Sequence, residues 1–108
     1  MDRDAVIKIY DEVVANNPNF ERKGKTMPYT SSNGYMFSLV NKDDELGVRL
    51  SKEDTVAFDK AYGAKPFKSH GATMREYVLI PESMLSDLET LGMYLQKGFE
   101  YVMSLPPK

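Results

Sequence analysis

Cysteine is absent from the chain of 108 residues, and that omission removes disulfides, thiolate nucleophiles, thiol redox chemistry and cysteine-based metal sites together. The absence suits a reducing compartment. His70 is the one histidine, so a first-row transition-metal centre of familiar type lacks a second imidazole or thiolate. Lying between Ser69 and Gly71, it reads as a solvent-facing loop residue, and no nucleophile-elbow sequence supplies it with a serine partner. Long apolar runs are missing too: nowhere do about 18 consecutive apolar residues occur, the length a membrane-spanning helix requires. The opening Met1-Asp2-Arg3-Asp4 leads into mixed polarity without the apolar stretch of a secretory signal. The expectation is a cytoplasmic protein with no membrane partner.

A dominant charge is also lacking. Lys and Arg number 14 against 16 Asp and Glu, a net charge of -2, and a weakly acidic chain gains no long-range attraction to a phosphate backbone. Direct nucleic-acid binding is therefore not expected. The one dense basic run, Arg22-Lys23-Gly24-Lys25, reads as a solvated connector. The glycines are scattered, without a Walker or dinucleotide fingerprint. Asp43-Asp44-Glu45 lacks the alternating ligands and closing glutamate of a calcium loop and reads as a charged hairpin tip. Glu53 and Asp54 are adjacent, so they do not face each other on a helix. No catalytic residue, metal or cofactor is assigned.

What is present suits one domain over residues 1–108, with a hydrophobic fraction of 42% that is enough for a modest core. Asp2 to about Asn16 has the helical period, with Val6, Ile9 or Tyr10, Val13 and Val14 on one face, and Asn16-Asn17-Pro18 ends it. The period then turns to that of strands. Thr26–Ser31 is a first strand with Pro28 marking an edge or irregular start. Asn33-Gly34 is a hairpin turn, Tyr35–Val40 a second strand, and Leu46–Leu50 a third. Ser51 and Asp54 open a helix over Lys52–Tyr62 with Val56, Phe58 or Ala57, and Ala61 as its apolar side, closed by Gly63. Ala64–Ser69 is a weak strand, Gly71-Ala72 a turn, and Met74–Ile80 a firm strand apolar on both faces. After Pro81, Ser86 and Glu89 form a capping box, and Leu88, Leu91, Leu95, Phe99 and Val102 stripe a last helix that ends near Leu105. Gly92 and Gly98 each cost this helix about 1 kcal/mol relative to alanine, which close backbone packing would offset. The order α-β-β-β-α-β-β-α predicts a two-layer α+β fold with helices packed on an antiparallel sheet.

Several stretches carry a likeness: Met27 to Leu50 leading through Ser51 into a helix, Gly63-Ala64-Lys65-Pro66-Phe67, Met74-Arg75-Glu76-Tyr77-Val78-Leu79-Ile80-Pro81, and the closing Tyr101-Val102-Met103-Ser104-Leu105-Pro106-Pro107-Lys108. Together they resemble the TfoX/Sxy N-terminal domain family across nearly the whole chain. The resemblance implies a single-domain member with a secretion-chaperone-like fold. It also implies an accessory role in transcription or competence, exercised through a protein partner. At Met27-Pro28-Tyr29-Thr30 the chain departs from the family's Met-Phe-Gly-Gly pattern.

With no reaction site to assign, function is expected at a surface. Seven tyrosines and seven methionines are many for this length, and both types anchor interfaces by burying large, adaptable side chains. Tyr29, Tyr35, Met74 and Tyr77, with Arg75 nearby, are expected on one side of the sheet as an interaction surface. Lys23, Lys25, Lys65 and Lys68 are a basic patch if the fold brings them together. The expected activity is that of a non-enzymatic interaction module with an unidentified protein partner, self-associating as a homodimer through a sheet face or edge; the alternative that stays open is a small-molecule-binding protein or an enzyme with an unfamiliar site.

Overall fold

A computed structural model describes all residues from Met1 to Lys108. Helix α1 (Arg3–Ala15) starts where the Asp2 carboxylate accepts from the Ala5 amide, and buries Val6, Tyr10, Val13 and Val14. Strands β1 (Tyr29–Ser32), β2 (Tyr35–Val40) and β3 (Leu46–Arg49) form a meander. Helix α2 (Lys52–Tyr62) follows, then β4 (Pro66–Ser69), β5 (Ala72–Leu79), a 3-10 turn at Glu82–Ser86 and helix α3 (Leu88–Ser104). The five strands are antiparallel in the order β1-β2-β3-β5-β4. The result is a small two-layer α+β domain with helices on a five-stranded antiparallel sheet, and no helix is long and apolar enough to cross a membrane.

The last helix does what its stripe predicts. Leu91, Leu95 and Val102 have no exposed surface, while Leu88 and Phe99 are partly buried against the same core. Truncating Leu91 or Leu95 to alanine removes contacts worth about 2–5 kcal/mol. Gly98 lets α3 lie directly on the sheet: a Cβ there would stand 2.9 Å from the Arg49 carbonyl oxygen and 3.1 Å from Val48 Cγ1. Gly92 has only an ordinary contact, 3.6 Å to Val13 Cγ1, so close approach explains one of the two glycines.

Gly47 precedes Val48 on β3 and faces away from the helices. There the Phe67 ring fills the space a Gly47 Cβ would need, and Tyr77 stacks on Phe67 with ring centres 5.9 Å apart. The Tyr77 hydroxyl donates to the Met36 carbonyl and the Asn41 amide to the Lys68 carbonyl, contacts that reach from β5 and β4 across β3. The sheet is therefore curled, and its second face is filled by its own side chains. This agrees with the two-sided apolarity of β5.

Four local expectations differ. The capping residue of α3 is Asp87, whose carboxylate accepts from the Thr90 amide and hydroxyl. Ser86 instead closes the preceding turn by donating to the Ser83 carbonyl. Strand β1 begins at Tyr29, after a bend over residues 25–27 whose Thr26 carbonyl accepts from the Arg3 guanidinium. The second hairpin turn is His70-Gly71, with φ of 55° and 74°, the paired positive values of a tight two-residue turn, so β5 starts at Ala72. On α2 only Phe58 is buried, edge-on to Tyr94 at 5.1 Å, and Val56 is left 51% exposed.

Candidate functional site

Arg49 ends β3 and lies opposite Tyr77 of β5. Its neighbour on that strand, Glu76, has φ of 69°, a left-handed conformation that costs a residue with a Cβ about 1–2 kcal/mol. The twist sets the Glu76 carboxylate before Arg49, which donates to Oε1 through Nε at 3.1 Å and Nη2 at 2.5 Å. The Tyr101 hydroxyl, from α3, donates to the other carboxylate oxygen. Two rings flank the guanidinium, with centres 5.3 Å (Tyr35) and 5.6 Å (Tyr101) from its central carbon. A planar cation on aromatic faces gains quadrupole attraction and loses little solvation.

Electrostatics follow from this packing. Burial pushes the Glu76 carboxyl up, but the hydrogen bonds from Tyr101 and Arg49 and the charge of Arg49 outweigh it, so it titrates below the usual range. Tyr101 is pushed up, chiefly because its hydroxyl donates to that carboxylate. Around the pair lie more cations. Lys108 Nζ sits 5.0 Å from the centre of the Tyr35 ring, Arg75 adds its charge at Glu76, and Lys52 shares a depression with Glu76, Leu50, Thr55 and Val56. Lys52, Arg75 and Lys108 make no ion pair within the chain. In a chain of net charge -2, this end of the sheet is locally positive.

The tyrosine and arginine surface read from the sequence is divided by the fold. Tyr35 belongs to the Arg49 cluster and also donates to the Pro106 carbonyl, and Arg75 flanks it. Tyr77, the cross-strand partner of Arg49, stacks on Phe67, where burial raises its hydroxyl's pKa. Tyr29 pairs with Leu39 on the edge strand and packs under Gly24, and Met74 is half-buried farther out on β5. The four lysines are all exposed. Lys23 and Lys25 precede β1, and Lys65 and Lys68 lie at β4, so the pairs flank opposite edges in the strand order. Arg49, Glu76 and Tyr101 went unnoticed because their meeting depends on the β3–β5 register, which no local pattern encodes. The only signal is Arg49 between Val48 and Leu50, and the Arg75-Glu76 pair between Met74 and Tyr77.

Other polar clusters are engaged in holding the fold. Asp44 accepts from Arg3 and Glu45 from Asn41, which suits a structured charged turn, and no three His, Asp or Glu side chains converge as a metal site. A second cleft of about 340 Å³ opens above Val6, Leu46, Ile80 and Leu85, rimmed by Asp44, Lys65 and Glu82. Comparison with known proteins adds no assignment: the chain matches no protein-family model and no curated protein.

Proposed function

We propose that the chain is a non-enzymatic protein-interaction module whose contact surface is the open end of the sheet around Arg49. The observation that carries this reading is the guanidinium held between Tyr35 and Tyr101 and fixed by Glu76 on a strained backbone. Arginine and tyrosine dominate binding energy at protein interfaces, and groups ordered before contact lose less entropy on binding. Strain kept at an exposed position is a mark of function more often than of stability.

A two-fold dimer through this patch would bring its unpaired cations together, which favours a different protein over a second copy as the partner. The accessory-regulator role implied by the TfoX/Sxy resemblance sits within this reading, since it too works through a protein partner. The secretion-chaperone-like character of the fold belongs to the same proposal.

Photo-crosslinking tests it. A benzoylphenylalanine at Val56, beside the cluster, is expected to trap a protein that the same group at exposed Glu12 on α1 does not. Equal trapping at both positions, or none at Val56, contradicts the reading. Sedimentation over a wide concentration range is expected to show no dimer that Arg49→Glu abolishes.

A further inference from the structure

We infer that the segment recognised by this surface is acidic, with an aliphatic side chain beside its carboxylate. The carboxylate would meet Arg49, and the aliphatic group would enter the depression between Leu50 and Val56. This rests on the proposed function and names the chemistry of the partner.

Charge is the first support. Arg49 uses Nε and Nη2 on Glu76, while Nη1 donates to no group in the chain, and the side chain as a whole keeps 20% of its surface exposed, so donors are left for a ligand acceptor. Arginine takes carboxylates through paired N–H donors, and such charge-assisted bonds are about twice as strong as neutral ones. Lys52, Arg75 and Lys108, unpaired within the chain, add attraction from three directions. Among the residues lining the depression the one acid is Glu76, which is already bonded by Arg49 and Tyr101.

Shape is the second. The depression beside Glu76 is open to solvent, with room for about 330 Å³, and is lined by Leu50, Lys52, Thr55, Val56 and Glu76. Its wall includes Val56, 51% exposed, on a helix that buries only Phe58. An aliphatic side chain there would remove that surface from water, gaining about 25 cal/mol per Å². A phosphate polymer fits less well: it offers nothing apolar for Val56, it meets the fixed Glu76 carboxylate, and the chain as a whole is acidic.

The test is selection of a random peptide library displayed on phage against the immobilised full chain, followed by fluorescence anisotropy on the enriched peptides. The expected winners place Asp or Glu within two residues of Leu, Ile or Val. Their binding is expected to weaken at least about tenfold in Arg49→Ala, and also in Val56→Glu, an exposed substitution that leaves the core untouched. Basic or uncharged winners, or acidic ones indifferent to both variants, overturn the inference. So does an oligothymidylate that binds more tightly than any peptide and needs Arg49. A selection that enriches nothing, while Val56 cross-links persist, overturns the acidic-segment inference alone; loss of the cross-links as well overturns the interaction reading beneath it.

Discussion

Two tyrosine-centred polar clusters hold opposite positions in this domain. Tyr10 of α1 meets Ser38 of β2 at 2.6 Å, and Ser38 meets Thr30 of β1. None of the three has exposed surface, and none carries charge. Tyr101 meets Glu76 and Arg49 at an open end of the sheet, with unpaired cations around it. The sealed cluster joins a helix to two strands, and each hydroxyl depends on the others because water is excluded. The open cluster can exchange its partners for water or ligand, so its net worth to stability is small. The difference separates polar groups that specify the fold from polar groups left free to recognise something.

The comparison is broken most forcefully at Ser38. Ser38→Ala orphans the Tyr10 and Thr30 hydroxyls in a dry site and is expected to cost about 2–4 kcal/mol in denaturant unfolding. Alkali attacks the same cluster. Burial pushes the Tyr10 hydroxyl up to about 12 from an unfolded value near 10. Stability from this group is therefore complete below about pH 10 and falls by about 2–3 kcal/mol as pH rises through 12. Tyr77, Tyr94 and Tyr101 shift in the same direction. The Tyr10 share is the part of the pH-dependent loss that is missing in Tyr10→Phe. At neutral pH that variant is expected to cost only about 1 kcal/mol, since Ser38 retains Thr30.

The smallest expected effect is at the open cluster. Glu76→Gly removes an exposed ion pair worth about 0–1 kcal/mol and relieves the positive φ, a gain of similar size. Thermal and denaturant unfolding are expected to match wild type within about 1 kcal/mol. A loss as large as that of Ser38→Ala would erase the distinction between the clusters.

How much of this was legible in the sequence follows from the range of the interactions. The α3 stripe, the Asn33-Gly34 turn, and the Ser51 and Gly63 ends of α2 depend on residues within a turn or two, and each appears where the sequence put it. One-residue choices were lost where two residues had the same chemistry, as with Ser86 and Asp87 before α3. Val56 looked like core because a helical period marks a stripe without saying how wide a surface is available to cover it. Gly92 and Gly98 look alike in sequence, yet only Gly98 lies against a backbone oxygen. Tyr35 and Arg75 were found as surface residues. Arg49, Glu76 and Tyr101 were not, since their meeting needs a strand register and a bulge-like twist at Glu76.

The central claim is that the Arg49 end exists for recognition. Arg49→Ala read in two ways tests it most directly: unfolding free energy by denaturant, and binding of the selected acidic peptides. The expected result is stability within about 1 kcal/mol of wild type with binding lost. A strongly destabilised protein whose residual folded fraction binds those peptides as well as wild type would contradict it.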